Sequence, residues 1–376
     1  MIQQDYSITG SLLAKKSPLK EKTIRVVTID DSALIRLTLN RYLNQFADIE
    51  VVGQANNGQE MLTLVEELRP DVVVLDVEMP VMNGLEALGR LMCVRPLPVI
   101  MLSNLTWSGA EVTLQALELG AVDFVVKPQP GVTMAETVDI LVQKIRHVAQ
   151  ARVTFRHREV EESAEKRNKI QDGGNNAFFL PKRIAPLQAT DTLLAVASST
   201  GGPSALTDFL AAIPPGLPIA GVIVQHMPVG FTTILGQRLN RNSSYKILEA
   251  AQGSRLMRGQ FLIAPGGYHL TFDNQGVAAL NEGTPVNGVR PAADVTFRSL
   301  ARTFGGQTTV VILTGMGSDG LSGALEIHKF GGKVVAQDEK SSIVYGMPRQ
   351  VVEANLTEYV ATPALLGAFL AERARQ

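Results

Sequence analysis

The sequence predicts an α/β protein built from two doubly wound parallel-sheet domains in series. Three observations carry that expectation. Short β-branched apolar runs recur with helical periodicities between them, in two separate blocks. A stretch of dense mixed charge, 152–169, divides the blocks with six basic and four acidic side chains. The length of 376 residues suits two to three domains at roughly 150 residues each.

Residues 1–22 read as a polar leader without an apolar run long enough for a signal core. The first block, 23–150, has strand-like runs at 24–29 (IRVVTI), 72–76 (VVVLD), 98–102 (PVIML) and 122–126 (VDFVV). Each is too short and too β-branched for a helix. Val138, Leu141, Val142, Ile145 and Val148 form an apolar stripe at helical spacing, which core packing alone explains. Residues 151–188 read as a linker, helical at its start. The second block, 189–376, has runs at 193–198, 221–225, 261–264, 308–313 and 333–336. Its segment 269–280 reads as a hairpin, and helices are expected near 203–213, 319–330 and 363–375. Buried strands alternating with helices require a parallel sheet covered on both faces.

Composition removes several function classes. Lys and Arg number 35 against 36 Asp and Glu, a formal net charge of −1. Residues 191–376 hold 14 basic and 13 acidic side chains. Neither balance suits nucleic-acid binding, so a DNA-reading output domain is disfavoured. Cys93 is the sole cysteine, which excludes an intrachain disulfide and suits a reducing compartment. One cysteine and five histidines also argue against a Cys/His zinc site. The longest uncharged apolar stretch, 209–225, is broken by Pro214, Pro215, Gly216, Pro218 and Gly221. That punctuation opposes membrane insertion, and a cytoplasmic location is expected.

Ligands of parallel α/β sheets bind at the C-terminal ends of the strands. In the first block those ends carry Asp30–Asp31, Asp76, Ser103 and Lys127–Pro128. Converging carboxylates repel unless a cation sits among them, and hard oxygen ligands suit Mg²⁺. A lysine and a hydroxyl nearby suit phosphoryl oxygens, and a carboxylate can accept a phosphoryl group. Singly, such Asp residues are more often caps or turn formers. The stretches VVTIDDSALIR, DVVVLDVEMPVMNGLE, PVIMLSN and GAVDFVVKP resemble the receiver domain of two-component signalling over about 24–145. The resemblance implies a flavodoxin-like fold with Asp76 as phosphoacceptor. It implies Asp30, Asp31, Asp76 and the backbone carbonyl of Glu78 as Mg²⁺ ligands. Ser103 and Lys127 would contact the phosphoryl group, and Phe124 stands at the switch aromatic.

The second block's strands also end in chemistry: Ser198-Ser199-Thr200-Gly201-Gly202, then Gln225-His226, then Thr314-Gly315-Met316-Gly317-Ser318-Asp319. A serine needs a base to remove its proton, and a carboxylate fixes the tautomer of that base. Taken alone, the serine loop also suits a helix N-cap or a phosphate, His226 a structural histidine, and Asp319 a cap for the helix that follows. The order Ser, His, Asp and the lack of a G-x-S-x-G elbow exclude the α/β-hydrolases. The chymotrypsin and subtilisin orders differ too.

SSTGGPSAL, IVQHMP, FLIAPGGYH, PVNGVRPAADVTF, LTGMGSDG and VVAQDEKSSIVYGMP closely resemble the catalytic domain of chemotaxis protein-glutamate methylesterases. The resemblance implies a Rossmann-like domain with Ser199 as nucleophile, His226 as base and Asp319 as its partner. The N–H of Met316, helped by Thr200, would line the oxyanion hole. Substrates would be glutamate methyl esters of methyl-accepting chemoreceptors, and some relatives also deamidate receptor glutamines. The esterase step would need no cofactor, a chemotaxis histidine kinase would be the phosphodonor, and the unphosphorylated receiver would cover the cleft. This chain departs from the family at Ala197–Ser198, commonly Gly-Ala, and at Val289, often histidine. Those departures leave the contacts near Arg290 open, and His269 suits either a cleft wall or a strand start. The register of Thr200-Gly201-Gly202 selects Ser199 over Ser198. A phosphorylation-controlled scaffold that keeps the triad without turnover is the competing class, and methanol release separates the two.

Overall fold

A computed structural model describes residues 23–129, 133–149, 151 and 182–375. The first domain alternates strand and helix. In order these are β1 (Ile24–Ile29), α1 (Ala33–Leu43), β2 (Ile49–Ala55), α2 (Gly58–Leu68), β3 (Val72–Asp76) and α3 (Gly84–Val94). There follow β4 (Val99–Ser103), α4 (Trp107–Leu119), β5 (Asp123–Val126) and α5 (Met134–Val148). All five strands are parallel, in the order β2-β1-β3-β4-β5. The sheet order therefore reverses between β1 and β3, and a crevice opens there at the strand tips. The stripe from Val138 to Val148 is the buried face of α5, whose start is fixed by a Thr133–Glu136 capping box.

The second domain begins with β6 (Ala185–Pro186), β7 (Thr192–Ser198), α6 (Gly202–Ala211), β8 (Ile219–Gln225), α7 (Phe231–Asn242) and β9 (Lys246–Glu249). It continues with β10 (Met257–Arg258), β11 (Gln260–Ile263), β12 (His269–Phe272), β13 (Ala278–Asn281) and α8 (Ala293–Phe304). Its last part is β14 (Thr308–Ile312), α9 (Leu321–Lys329), β15 (Lys333–Gln337), α10 (Met347–Glu353), β16 (Tyr359–Ala361) and α11 (Pro363–Arg373). Seven strands form a parallel sheet in the order β16-β15-β14-β7-β8-β11-β9. Its reversal lies between β14 and β7. The expected hairpin is the antiparallel pair β12–β13.

The linker read from the sequence lies mostly outside the described residues. Its last part is docked: β6 pairs with β10, and Lys182 Nζ donates to the Asn240 carbonyl at 2.6 Å. Of the strands in the two parallel sheets, the sequence reading missed β2, β9 and β16. All three are edge strands, and each mixes exposed or half-buried positions with buried ones. The central β7 and β14, by contrast, are buried almost throughout. No described helix is long and apolar enough to cross a membrane.

The two domains touch along α4, β5 and α5. Phe124 stacks on Phe231 with ring centroids 4.4 Å apart. Arg238 on α7 pairs with Glu118 at 3.0 Å and donates to the Glu111 carbonyl at 2.9 Å. Buried Val344, with half-buried Met316 and Ile343, packs into the apolar cluster beneath α5.

Candidate active site

The first reversal gathers acidic groups. Asp30 follows β1, Asp76 ends β3 and Lys127 follows β5. Lys127 Nζ lies 2.8 Å from Asp30 Oδ2 and 2.7 Å from Asp76 Oδ2. Asp30, Asp31 and Asp76 each offer a carboxylate oxygen within 4.8 Å of the others, Asp31 being the exposed one. Burial pushes the Asp76 carboxyl up to about 6, against the opposing pull of Lys127. Burial alone would lower the Lys127 ammonium, but the two carboxylates outweigh it and hold it above its ordinary value.

The other receiver residues stand around this group. The Glu78 N–H donates to Asp76 Oδ1 at 3.4 Å, and the Glu78 side chain is exposed. Buried Ser103 accepts from the Thr113 hydroxyl at 2.6 Å and donates toward the carbonyls of Asn104 at 3.2 Å and Gly109 at 3.4 Å, so its hydroxyl engages the start of α4 instead of Asp76. Phe124 is buried in the domain contact.

The second reversal gathers the serine, histidine and aspartate loops. Ser199 follows β7, and Met316 and Asp319 follow β14. His226 follows β8. His226 Nε2 and Asp319 Oδ2 are 2.8 Å apart. Asp319 is 3% exposed. Its Oδ2 also accepts from the Ala293 N–H at 2.6 Å, and its Oδ1 from the Asp294 N–H at 3.1 Å and Asn287 Nδ2 at 3.1 Å. Burial alone would raise this carboxyl. The His226 hydrogen bond and charge, with the two backbone donors, hold it below its ordinary value.

Those backbone donors are the first N–H groups of α8, whose N-cap Ala292 has no accepting side chain. Asp319 serves as the missing cap from another loop. Its place in the sequence also suits a cap for the helix after it. That helix, α9, is capped instead by Asp294, whose Oδ1 accepts from Gly320 N at 3.1 Å and Gly323 N at 2.8 Å. Each helix thus receives its cap from the other's neighbourhood. Gly323 permits the closeness: a Cβ there would sit 2.5 Å from Phe297 Cβ.

Ser199 is half-buried, and its hydroxyl makes no hydrogen bond to His226 among the described residues. The backbone brings the loops together instead. Ser199 N donates to the Thr314 carbonyl at 3.0 Å, and His226 N to the Ser198 carbonyl at 3.1 Å. Gln225 Nε2 donates to the carbonyls of Ser199 at 2.9 Å and His226 at 3.3 Å. Ser198 is wholly buried and donates to Gln225 Oε1 at 2.6 Å. The two serines therefore face opposite sides, as extended backbone requires. Gly315 lies against the serine, since a Cβ there would come within 2.8 Å of Ser199 Cβ. Nothing among the described residues accepts the N–H of Met316 or of Thr200. The Thr200 hydroxyl donates to Asp123 Oδ2 of the first domain, and that carboxylate also pairs with Lys144 at 2.6 Å.

His269 is 2% exposed, with Nε2 at 3.1 Å from the Thr284 carbonyl and Nδ1 accepting from Ala292 N at 3.3 Å. It braces the loop ahead of α8. Arg290 donates to the carbonyls of Glu282 and Gly283 at 2.7 and 2.8 Å. Sequence reasoning missed Gln225, Asn287, Asp294 and Asp123. A polar residue closing an apolar strand marks Gln225, and an Asn-Gly turn marks Asn287. Asp294 and Asp123 act on groups distant in sequence and carry no comparable local mark.

Residues 194–370 match the family described as CheB methylesterase, and residues 26–139 match the response regulator receiver domain. A protein-glutamate methylesterase/protein-glutamine glutaminase of Thiobacillus denitrificans is 42% identical over 344 residues, covering 90% of this chain and 93% of the relative. Protein-glutamate methylesterase/protein-glutamine glutaminase 1 of Cupriavidus metallidurans is 44% identical over 336 residues, covering 88% and 90%. The CheB methylesterase catalytic domain crystallised from Thermotoga maritima is 38% identical, covering 49% of this chain and 98% of that one with a TM-score of 0.47. Identity of this order along nine-tenths of both chains places the protein in the CheB methylesterase family, with its receiver domain ahead of its methylesterase domain.

Proposed function

We propose that this chain hydrolyses glutamate methyl esters on methyl-accepting chemoreceptors, releasing methanol, and deamidates receptor glutamines by the same acyl-enzyme route. The observation that carries this reading is the His226–Asp319 pair beside Ser199 and the unpaired Met316 N–H, all at the reversal of one sheet. Asp319 accepts a hydrogen bond from Nε2–H and fixes that tautomer, which leaves Nδ1 as the ring atom that accepts the proton of Ser199. Ser199 then attacks the ester carbonyl. The N–H groups of Met316 and Thr200 receive the oxyanion, each such donor typically contributing about 2.7–4 kcal/mol of barrier. The Thr200 hydroxyl is engaged with Asp123, so its share is the backbone N–H. Methanol leaves with the proton held by His226, and water releases the acyl group by the same steps reversed.

Regulation resides in the receiver. A histidine kinase supplies the phosphoryl group to Asp76, and Lys127 and Ser103 take its oxygens. Three carboxylate oxygens within 4.8 Å fit a hard divalent cation. Asp30, Asp31, Asp76 and the Glu78 carbonyl would hold Mg²⁺, which would supply counter-charge for that transfer. Turning Ser103 from α4 toward Asp76 disturbs the packing around Phe124, and with it the contacts on Phe231 and Thr200. The receiver then leaves the serine loop. A tenfold activation needs only about 1.4 kcal/mol of bias between docked and undocked states.

The test is methanol release from a methylated receptor fragment by the full chain, with and without acetyl phosphate. The expected result is a faster rate on phosphorylation and none in Ser199→Ala. Parental rates in Ser199→Ala would refute the reading. Binding to the receptor with no methanol released by the parent would favour the scaffold class.

A further inference from the structure

We infer that Asn287 is a positioning residue for the reaction: from an exposed turn it completes the set of donors that holds Asp319 for His226. The inference rests on the reading of Ser199, His226 and Asp319 given above.

An ionised carboxylate accepts about four hydrogen bonds. Asp319 has four donors: His226 Nε2, the N–H groups of Ala293 and Asp294, and Asn287 Nδ2. The two backbone donors belong to α8 and cannot be removed by a side-chain change. Asn287 is the one donor that comes from the solvent-facing loop. The same Nδ2 reaches Asp294 Oδ2 at 3.0 Å. One amide nitrogen thus bridges two buried carboxylates, and its loss takes one donor from each.

The loop is built to deliver that amide. Val286 and Val289 exchange backbone hydrogen bonds at 3.1 Å, closing a tight turn with Asn287 at its first corner. Asn287 has φ of 54°, the left-handed region that asparagine tolerates better than most residues. Arg290 and His269 pin the flanks through the carbonyls of Glu282, Gly283 and Thr284. Asparagine therefore meets two demands at once, the backbone geometry and the donor. The titratable groups around the pair are Asp294 from α8, His226 from the loop after β8, and His269 from β12 behind Ala292. Both helix caps persist without Asn287, because Ala293, Asp294, Gly320 and Gly323 donate through the backbone. Its removal should act on the reaction more than on the fold.

Two variants of the full chain separate the donor from the turn. Asn287→Gly keeps the left-handed corner and deletes the amide. Asn287→Asp keeps the size but replaces the donor with a third carboxylate. Rates are read as methanol release from a methylated receptor fragment. In Asn287→Gly, kcat falls about fivefold or more at a temperature where the variant stays folded, with KM changed less than about twofold. In Asn287→Asp, the acid limb of kcat/KM moves to higher pH, because added negative charge stabilises the His226 imidazolium. A merely structural role would lower the thermal transition but leave the folded variant's kcat and that limb in place. Parental kcat in Asn287→Gly, or an unmoved acid limb in Asn287→Asp, would overturn the inference. Ser199→Ala run alongside separates the claims. Full activity there sinks the reading of the site and this inference with it. Loss there with parental kcat in Asn287→Gly sinks the positioning role alone.

Discussion

Asp123 is the sharpest lever on the contact between the domains. Its Oδ2 receives the hydroxyl of Thr200, the residue next to Ser199, while pairing with Lys144. Asp123→Ala removes the receiver's polar hold on the serine loop. A hydrogen bond to a charged acceptor contributes about 1.5–3 kcal/mol. Thr200 regains water when released, so the lower half of that range applies. At about 1.4 kcal/mol per tenfold, the undocked fraction should rise on the order of tenfold. The Phe124–Phe231 stack and the Arg238–Glu118 pair remain and limit the gain. The assay is methanol release by the full chain without a phosphodonor. The basal rate should rise roughly tenfold, and acetyl phosphate should add less than it does for the parent. Phosphorylation of Asp76 itself should persist, because Lys127, Asp30 and Asp76 are untouched. A basal rate within about twofold of the parent, in a parent that acetyl phosphate activates, would refute the reasoning.

Ser199→Ala should abolish hydrolysis. Ser198→Ala should keep it but lower stability by about 1–3 kcal/mol, since Gln225 Oε1 loses its buried donor. Rates and urea midpoints of both variants check this pair. Asp319→Asn should reduce kcat by about 10³–10⁴-fold, because the amide favours the wrong histidine tautomer. The carboxyl sits below its ordinary value, so the parent's pH–rate profile should show no limb from it at neutral pH. Asp76 is raised to about 6 from 3.8. Its proton is held more tightly folded than unfolded, so its contribution to stability is present below pH 3.8 and lost as pH rises through 6. In EDTA, the receiver transition of the parent should weaken relative to Asp76→Asn between those limits. A difference independent of pH would contradict the burial of that carboxylate.

The parts of the fold that were legible in the sequence share a physical cause. Central strands are sealed on both faces, so β3, β7 and β14 are buried almost throughout and read as runs dominated by apolar residues. Edge strands are sealed less completely. In β2 the exposed Glu50 and Gln54 and the half-buried Gly53 interrupt the run, and β9 and β16 are shorter still. The functional residues were legible for a related reason. Polar groups at the ends of apolar runs stand out, and the sheet order carries those ends to one crevice in each domain. What the sequence did not reveal is how the groups are held, because the holding residues lie far away in the chain. Asp123 meets Thr200 across 77 positions, and Asp319 meets Ala293 across 26.

One mark of the second arrangement was nevertheless present. Arg290-Pro291-Ala292-Ala293 leads into α8 with no side chain that can accept from the helix's first N–H groups. Buried donors of that kind require an acceptor from elsewhere. Here the acceptor is Asp319, and the cap and the partner of His226 are one carboxylate. The consequence is mechanical as well as electrostatic. Aligned N–H groups at a helix start favour negative charge, so α8 keeps Asp319 ionised while fixing its direction. Asp294 returns the cap to α9, which binds the two helices to each other through the same residues. A shift of α8 against α9 therefore cannot occur without moving Asp319 relative to His226. Substitutions in this helix pair far from the serine, such as Gly323→Ala with its 2.5 Å approach to Phe297, should lower kcat along with stability. Substitutions in the equally buried packing of α11 should lower stability alone.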